Sequence, residues 1–99
     1  MSIIKWLEEW YESNCDDLWE HAYGVIIDTL DNPGWRLRFD IIETPYEHIV
    51  FDDVIIKRTD TDWIHCRKKD GYIDCGGGPK NLEEMLELVK KWMDDNKPR

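Results

Sequence analysis

The sequence predicts an α+β fold: an antiparallel meander of about five strands, with an N-terminal and a C-terminal helix packed on one face. Three observations carry that reading. Apolar residues recur at helical spacing near both ends of the chain and alternate in the middle. Turn signals divide the middle into short extended runs. Each strand-to-strand link also looks shorter than the dozen or so residues that a parallel crossover needs. At 99 residues the chain makes a single domain, residues 1–99, with one modest core and one sheet face left open.

The elements follow in order. Ile3, Trp6, Leu7, Trp10 and Tyr11 share one helical face, so Ser2 to about Asn14 reads as an amphipathic helix with Glu8, Glu9 and Glu12 outward. Cys15-Asp16-Asp17 ends it. Ala22 to Leu30 reads as a strand, Asp31-Asn32-Pro33-Gly34 as a turn, and a second strand opens at Trp35. Pro33 presets φ for the second position of a type II turn, and Gly34 accepts the positive φ of the third. Trp35, Leu37, Phe39 and Ile41 then alternate with Arg36, Arg38 and Asp40, which buries one face and wets the other.

Glu43 to His48, with Pro45, reads as a loop. Ile49 to Thr59 is a third extended run, bent or bulged at Asp52-Asp53. Trp63 to Lys68 is a fourth strand, Asp70-Gly71 a hairpin turn, and Tyr72 to Cys75 a fifth strand that Gly76-Gly77-Gly78-Pro79 breaks. Asn81 with Glu84 forms a capping-box-like start to the last helix. Leu82, Met85, Leu86, Val89, Trp92 and Met93 supply its apolar stripe, and Lys90 and Lys91 suit its later turns. From Asp94 to Pro98 the chain reads as a frayed tail.

Composition narrows function. With 41% hydrophobic and 35% charged residues the chain suits a soluble globular protein. No apolar run of about 20 residues spans a membrane, and Met1 to Trp10 lacks a signal peptide's apolar centre, so the expected location is cytoplasmic. The net charge is −9, from 22 acidic against 13 basic residues. Such a field repels nucleic acid and draws in a basic protein, although solubility alone would also account for it. Cys15, Cys66 and Cys75 are an odd, widely spaced set, which suits reduced thiols.

One arrangement looks enzymatic. Cys75 precedes GGGPK and a helix, where a thiolate beside an anion-binding loop would suit a small, sulfurtransferase-like thiol enzyme. Lys80 and Asn81 stand where such loops carry arginine, and the chain does not alternate strands with helices, so no catalytic residue is expected. His21, His48, His65 and the cysteines lack zinc-site spacing, so neither a metal nor another cofactor is expected. No pair stands out among the many carboxylates. Of six tryptophans, Trp6, Trp10, Trp35 and Trp92 fall on apolar stripes, and Trp19 is assigned to the core with them. Trp63 alternates with His65 and Arg67, which leaves it between core and interface.

Several segments combine in order: the Trp-rich first helix, Cys15 leading to Trp19-Glu20-His21 and Gly24, and the turn segment Thr29 to Trp35. Asp62-Trp63-Ile64-His65-Cys66 and a GGP-Asn-Leu-Glu-Glu run into the last helix complete the set. Together they closely resemble the immunity protein 53 family, antidote proteins of bacterial polymorphic toxin systems. The resemblance implies a non-enzymatic cytoplasmic protein that binds and neutralises a cognate toxin. With the net charge, it points to a basic, nuclease-like toxin met by an acidic surface holding Glu20, His21, Asp31, Asp62, Trp63 and His65. Nothing in the sequence sets the oligomeric state.

Overall fold

A computed structural model describes residues 2–97. Helix α1 (Ile3–Asn14) begins where Ser2 Oγ accepts the Lys5 N–H at 3.1 Å, satisfying one of the donors that a helix start leaves free. A short helix α2 (Trp19–Ala22) follows. Strands β1 (Val25–Leu30), β2 (Gly34–Asp40), β3 (Val54–Lys57), β4 (Trp63–Lys69) and β5 (Tyr72–Gly77) lead to helix α3 (Leu82–Asp95). The five strands are antiparallel in one open sheet with α1 and α3 on one face, the α+β arrangement that the sequence predicts.

The strand order is β1-β2-β5-β4-β3, which a plain meander would not give. Adjacent strands pair in the β1–β2, β3–β4 and β4–β5 hairpins, but β2 pairs with β5, so that Leu37 faces Cys75 and Phe39 faces Ile73. Residues 41–53 make this possible by carrying the chain from β2, next to one edge of the sheet, to β3 at the other. Ile49 to Asp53, expected to begin the third strand, instead runs under α3. Phe51 and Tyr46 lie 5.2 and 5.6 Å from Trp92, ring centre to ring centre. Trp92 Nε1 donates to the Val50 carbonyl at 2.9 Å. Lys68, on the helix-covered face, donates Nζ to the carbonyls of Glu47 and Ile49 at 2.8 and 2.9 Å. These bonds supply partners for strap carbonyls that no strand pairs.

The core lies between the sheet and the helices. Leu37, Phe39, Ile64, Cys66, Ile73 and Cys75 come from alternate strand positions. They meet Ile3 and Trp10 of α1, and Met85, Leu86, Val89 and Met93 of α3. Trp10 packs edge-on against Phe39 at 5.1 Å and against Trp19 at 6.0 Å. Trp19 is 2% exposed and donates Nε1 to the Ile42 carbonyl, which settles it in the core.

Several element ends differ from the sequence expectation. Ala22 closes α2 and does not open β1. Asp16 Oδ1 accepts the N–H groups of Leu18 and Trp19, while the Glu20 carboxylate accepts those of Asp16 and Asp17. Those reciprocal caps hold a helical turn that hydropathy alone does not reveal. Gly34, without a positive φ, belongs to β2, so the connection is not a type II turn. Gly34 serves close approach instead: a Cβ there would collide with the Gly77 carbonyl oxygen.

At the other end of the chain, β5 continues through Gly76 and Gly77. Asn81 does not cap α3 with its side chain; its amide donates to Asp62 and Glu84 at 2.9 and 3.4 Å. Helix α3 runs on to Asp95, where fraying was expected from Asp94. Lys90 and Lys91 bind Asp94 and Asp95 one turn on, each at 2.7 Å. Pro98, the expected end of that tail, lies outside the described residues.

Candidate interaction surface

Alternation leaves the opposite sheet face mostly polar, with Ile26 and Ile55 exposed on its outer strands, and among the described residues no helix covers it. Strand β4 sends Trp63, His65 and Arg67 to it, β5 sends Tyr72, Asp74 and Gly76, and β2 sends Arg36 and Arg38. Asp74 lies on the middle strand, between Arg38 and Arg67 in register. Arg36 donates Nε to Asp74 Oδ1 at 3.3 Å, and Arg67 Nε lies 3.9 Å from the other oxygen. Arg38 donates to Asp40 at 3.0 Å while its guanidinium sits 3.8 Å over the Tyr72 ring, a cation–π contact.

Trp63 is half-buried, and its indole lies across Gly76, where a Cβ would touch it at 3.6 Å. A hollow of about 250 Å³ opens between Trp63, His65, Arg67, Asp74 and Gly76. Beyond the indole a second, of about 300 Å³, includes Lys57 and Ile55, which is 72% exposed. A half-buried indole between two hollows, beside guanidinium and imidazole groups, is suited to anchoring a protein surface.

A second feature sits at the end of the sheet where β4 begins. Arg58 grips both Glu84 oxygens at 3.0 and 2.6 Å and also Asp62 at 2.9 Å, tying the β3–β4 turn to the start of α3. The Asn81 amide and then Arg58 hold the Asp62 carboxyl below the usual range. Arg58 chiefly does the same for Glu84, and the two carboxylates push the guanidinium up in turn. These groups line a groove of about 420 Å³ with Thr61, Pro79 and Lys80.

The six residues picked from the sequence fall into three places. Trp63 and His65 share the open face. Asp31 and Asp62 lie in turns at one end of the sheet, because Trp35 and Ile64 both pair with Gly77 there. Glu20 and His21 precede β1 whereas Asp31 follows it, so a six-residue strand of roughly 20 Å separates them. Glu20 is also engaged locally: backbone N–H groups hold its carboxyl below the usual range. The expected acidic surface is therefore not one patch. What the sequence missed is the cluster of Arg36, Arg38, Arg67 and Asp74. Its signal is the run of arginines alternating with Leu37 and Phe39, but only the β2–β5 pairing brings the members together.

Cys75 lies on the covered face, 1% exposed and opposite Cys66. A hydrogen bond with the Cys66 thiol, and then burial, push its thiol up and disfavour the thiolate. Gly76 and Gly77 are strand and only Gly78 lies beyond it, so Cys75 does not sit at the mouth of a Gly-rich loop as the sulfurtransferase-like alternative needs. Among the described residues no group of three or more His, Cys, Asp or Glu side chains is placed to hold a metal ion. No described helix is long and apolar enough to cross a membrane.

No curated protein and no solved structure matches the chain. The sequence model of the family described as Immunity protein 53 matches residues 4–94. That span takes in the whole sheet, nearly all of both flanking helices and every residue of the open face, and the chain belongs to the Immunity protein 53 family.

Proposed function

We propose that this chain is an immunity protein that neutralises a cognate bacterial toxin by seating it on the open face of the sheet. Family membership supplies the class of partner. The observation that carries the choice of surface is Trp63, a half-buried indole between two hollows on a face that no described helix covers. Trp63 and His65 form the centre of the contact. Asp31 and Asp62 present carboxylates at one end of it, and Glu20 and His21 contribute only to the longer-range field.

A net charge of −9 favours a basic, nuclease-like toxin, captured in the cytoplasm of the producing cell. Complementary charge speeds encounter, and a desolvated aromatic anchor slows release. Neutralisation is by contact, without turnover. Co-expression with the product of the gene immediately upstream tests the reading. Rescued growth and a recovered complex are the expected results; equal killing with and without this chain, and no complex, would overturn it. A basic partner further requires that the association rate fall as salt rises, so a flat response would remove that part.

A further inference from the structure

The open face departs in charge from the rest of the molecule. Arg36, Arg38, Lys57, Arg67 and Lys69 outnumber Asp28, Asp40 and Asp74 on it, whereas the chain as a whole is −9. The surplus is concentrated around Asp74, which takes Arg36 at 3.3 Å and Arg67 at 3.9 Å. Asp40 is engaged by Arg38 through one oxygen and by the Gly24 N–H through the other, each at 3.0 Å. Arg36 and Arg38 also spend only Nε on these bonds. Their terminal nitrogens, the two-pronged end that matches a carboxylate, donate to no residue among those described.

We propose that the toxin places an Asp or Glu carboxylate on this cluster, where Arg36 and Arg38 flank the hollow bounded by Trp63, His65, Arg67, Asp74 and Gly76. The inference rests on the open face being the toxin-binding surface, and it names the group that surface recognises. An added carboxylate relieves guanidiniums that now share one aspartate, and Trp63 shields the new bonds from water. A basic toxin can supply it. Beyond a Debye length of about 8 Å the approaching partner meets the screened field of the whole chain, whereas at contact the local pattern governs. A carboxylate set within a basic surface therefore matches both the acidic surroundings and the cationic centre, a registration that also rejects wrong partners.

A nucleic-acid strand fits less well. Its phosphates repeat every few ångströms, and a sheet of five strands is only about 20 Å wide. A strand crossing it would run on to Asp28 and Asp31 at one edge or Asp60 and Asp62 at another.

The test compares the affinity of the purified product of the gene immediately upstream for the wild type, for Arg36→Glu/Arg67→Glu and for the milder Arg36→Gln/Arg67→Gln, with far-UV circular dichroism and thermal melting as checks on folding. We expect the double reversal to weaken binding about 100-fold and the neutral pair about 10-fold. Glu12→Arg on α1, far from the face, should change it by less than about 3-fold. If the reversal disturbs the fold, the neutral pair decides. A folded neutral pair that binds within about 2-fold of wild type would overturn the proposal while leaving toxin binding intact. Absence of a wild-type complex would instead remove the toxin-binding reading and this inference with it. Salt-sensitive binding of a single-stranded RNA oligonucleotide to the wild type, lost in the double reversal, would overturn it in favour of nucleic acid.

Discussion

The two faces of this sheet share five strands and receive opposite halves of the same alternation. On the covered face Leu37 and Phe39 meet Ile73 and Cys75 beneath two helices, and these side chains are essentially unexposed. On the open face, one residue along each strand, Arg36 and Arg38 meet Gly76 and Asp74, with Trp63 and Tyr72 as the aromatic members. Both faces use aromatic rings, but in different settings. Phe39 is enclosed by Trp6 and Trp10, at 6.0 and 5.1 Å, whereas Trp63 lies across a glycine between two hollows. Stability should therefore depend on the first face and recognition on the second, and substitutions can separate the two.

The largest effect should come from Phe39→Ala. Removing a buried ring held between two indoles costs about 3–5 kcal/mol of folding stability. Urea unfolding measures it, and a loss under about 1 kcal/mol would mean that α1 does not pack there as described. Trp63→Ala is the counterpart on the open face. Toxin affinity should fall by about 2 kcal/mol or more, roughly 30-fold, while stability changes by less than about 1 kcal/mol. The reverse pattern, unfolding without loss of affinity, would assign Trp63 to the core and erase the contrast.

Lys68→Met gives a smaller effect. Lys68 belongs to the covered face by register but spends its ammonium on the strap carbonyls of Glu47 and Ile49. Methionine keeps most of the stem and leaves those acceptors without their charged donor, a loss of about 1–3 kcal/mol. Faster amide hydrogen exchange confined to residues 41–53 would place the loss in the strap; uniform change across the sheet would count against it.

How much of this was readable in the sequence depended on the range of the interaction. The apolar stripes of α1 and α3 and the alternation in β2 are local, and they gave the element types and the covered face. Caps were less legible, because Asp16 and Glu20 satisfy backbone N–H groups in a turn whose hydropathy shows no period. The β2–β5 pairing joins residues 38 apart, such as Leu37 and Cys75, and no local pattern reports it. The arginine cluster depends on that pairing, so its members were visible singly as wet-face residues but not as a site. For Trp63 the polar strand neighbours His65 and Arg67 gave only half the answer, leaving the indole between core and interface.

The seam where the two faces meet yields the finest test. Arg58, Asp62, Glu84 and Asn81 join the β3–β4 turn to α3, and both carboxyl groups are held below their ordinary values. A carboxyl depressed in the folded state adds stability above its unfolded value, near pH 4, and that contribution fades as pH falls through the folded value. The groups are solvent-exposed, so the effect on stability is slight and the titrations themselves are the better readout. Arg58→Ala should raise the carboxyl midpoints of both residues in an NMR titration, but unequally. Arg58 is the main hold on Glu84, whereas the Asn81 amide, 2.9 Å away, is the main hold on Asp62. Glu84 should therefore move further toward its ordinary value, and Asn81→Ala should reverse that order. Equal movement in Arg58→Ala would show that the guanidinium alone holds both carboxylates, and that Asn81 merely bridges the seam without setting its charge.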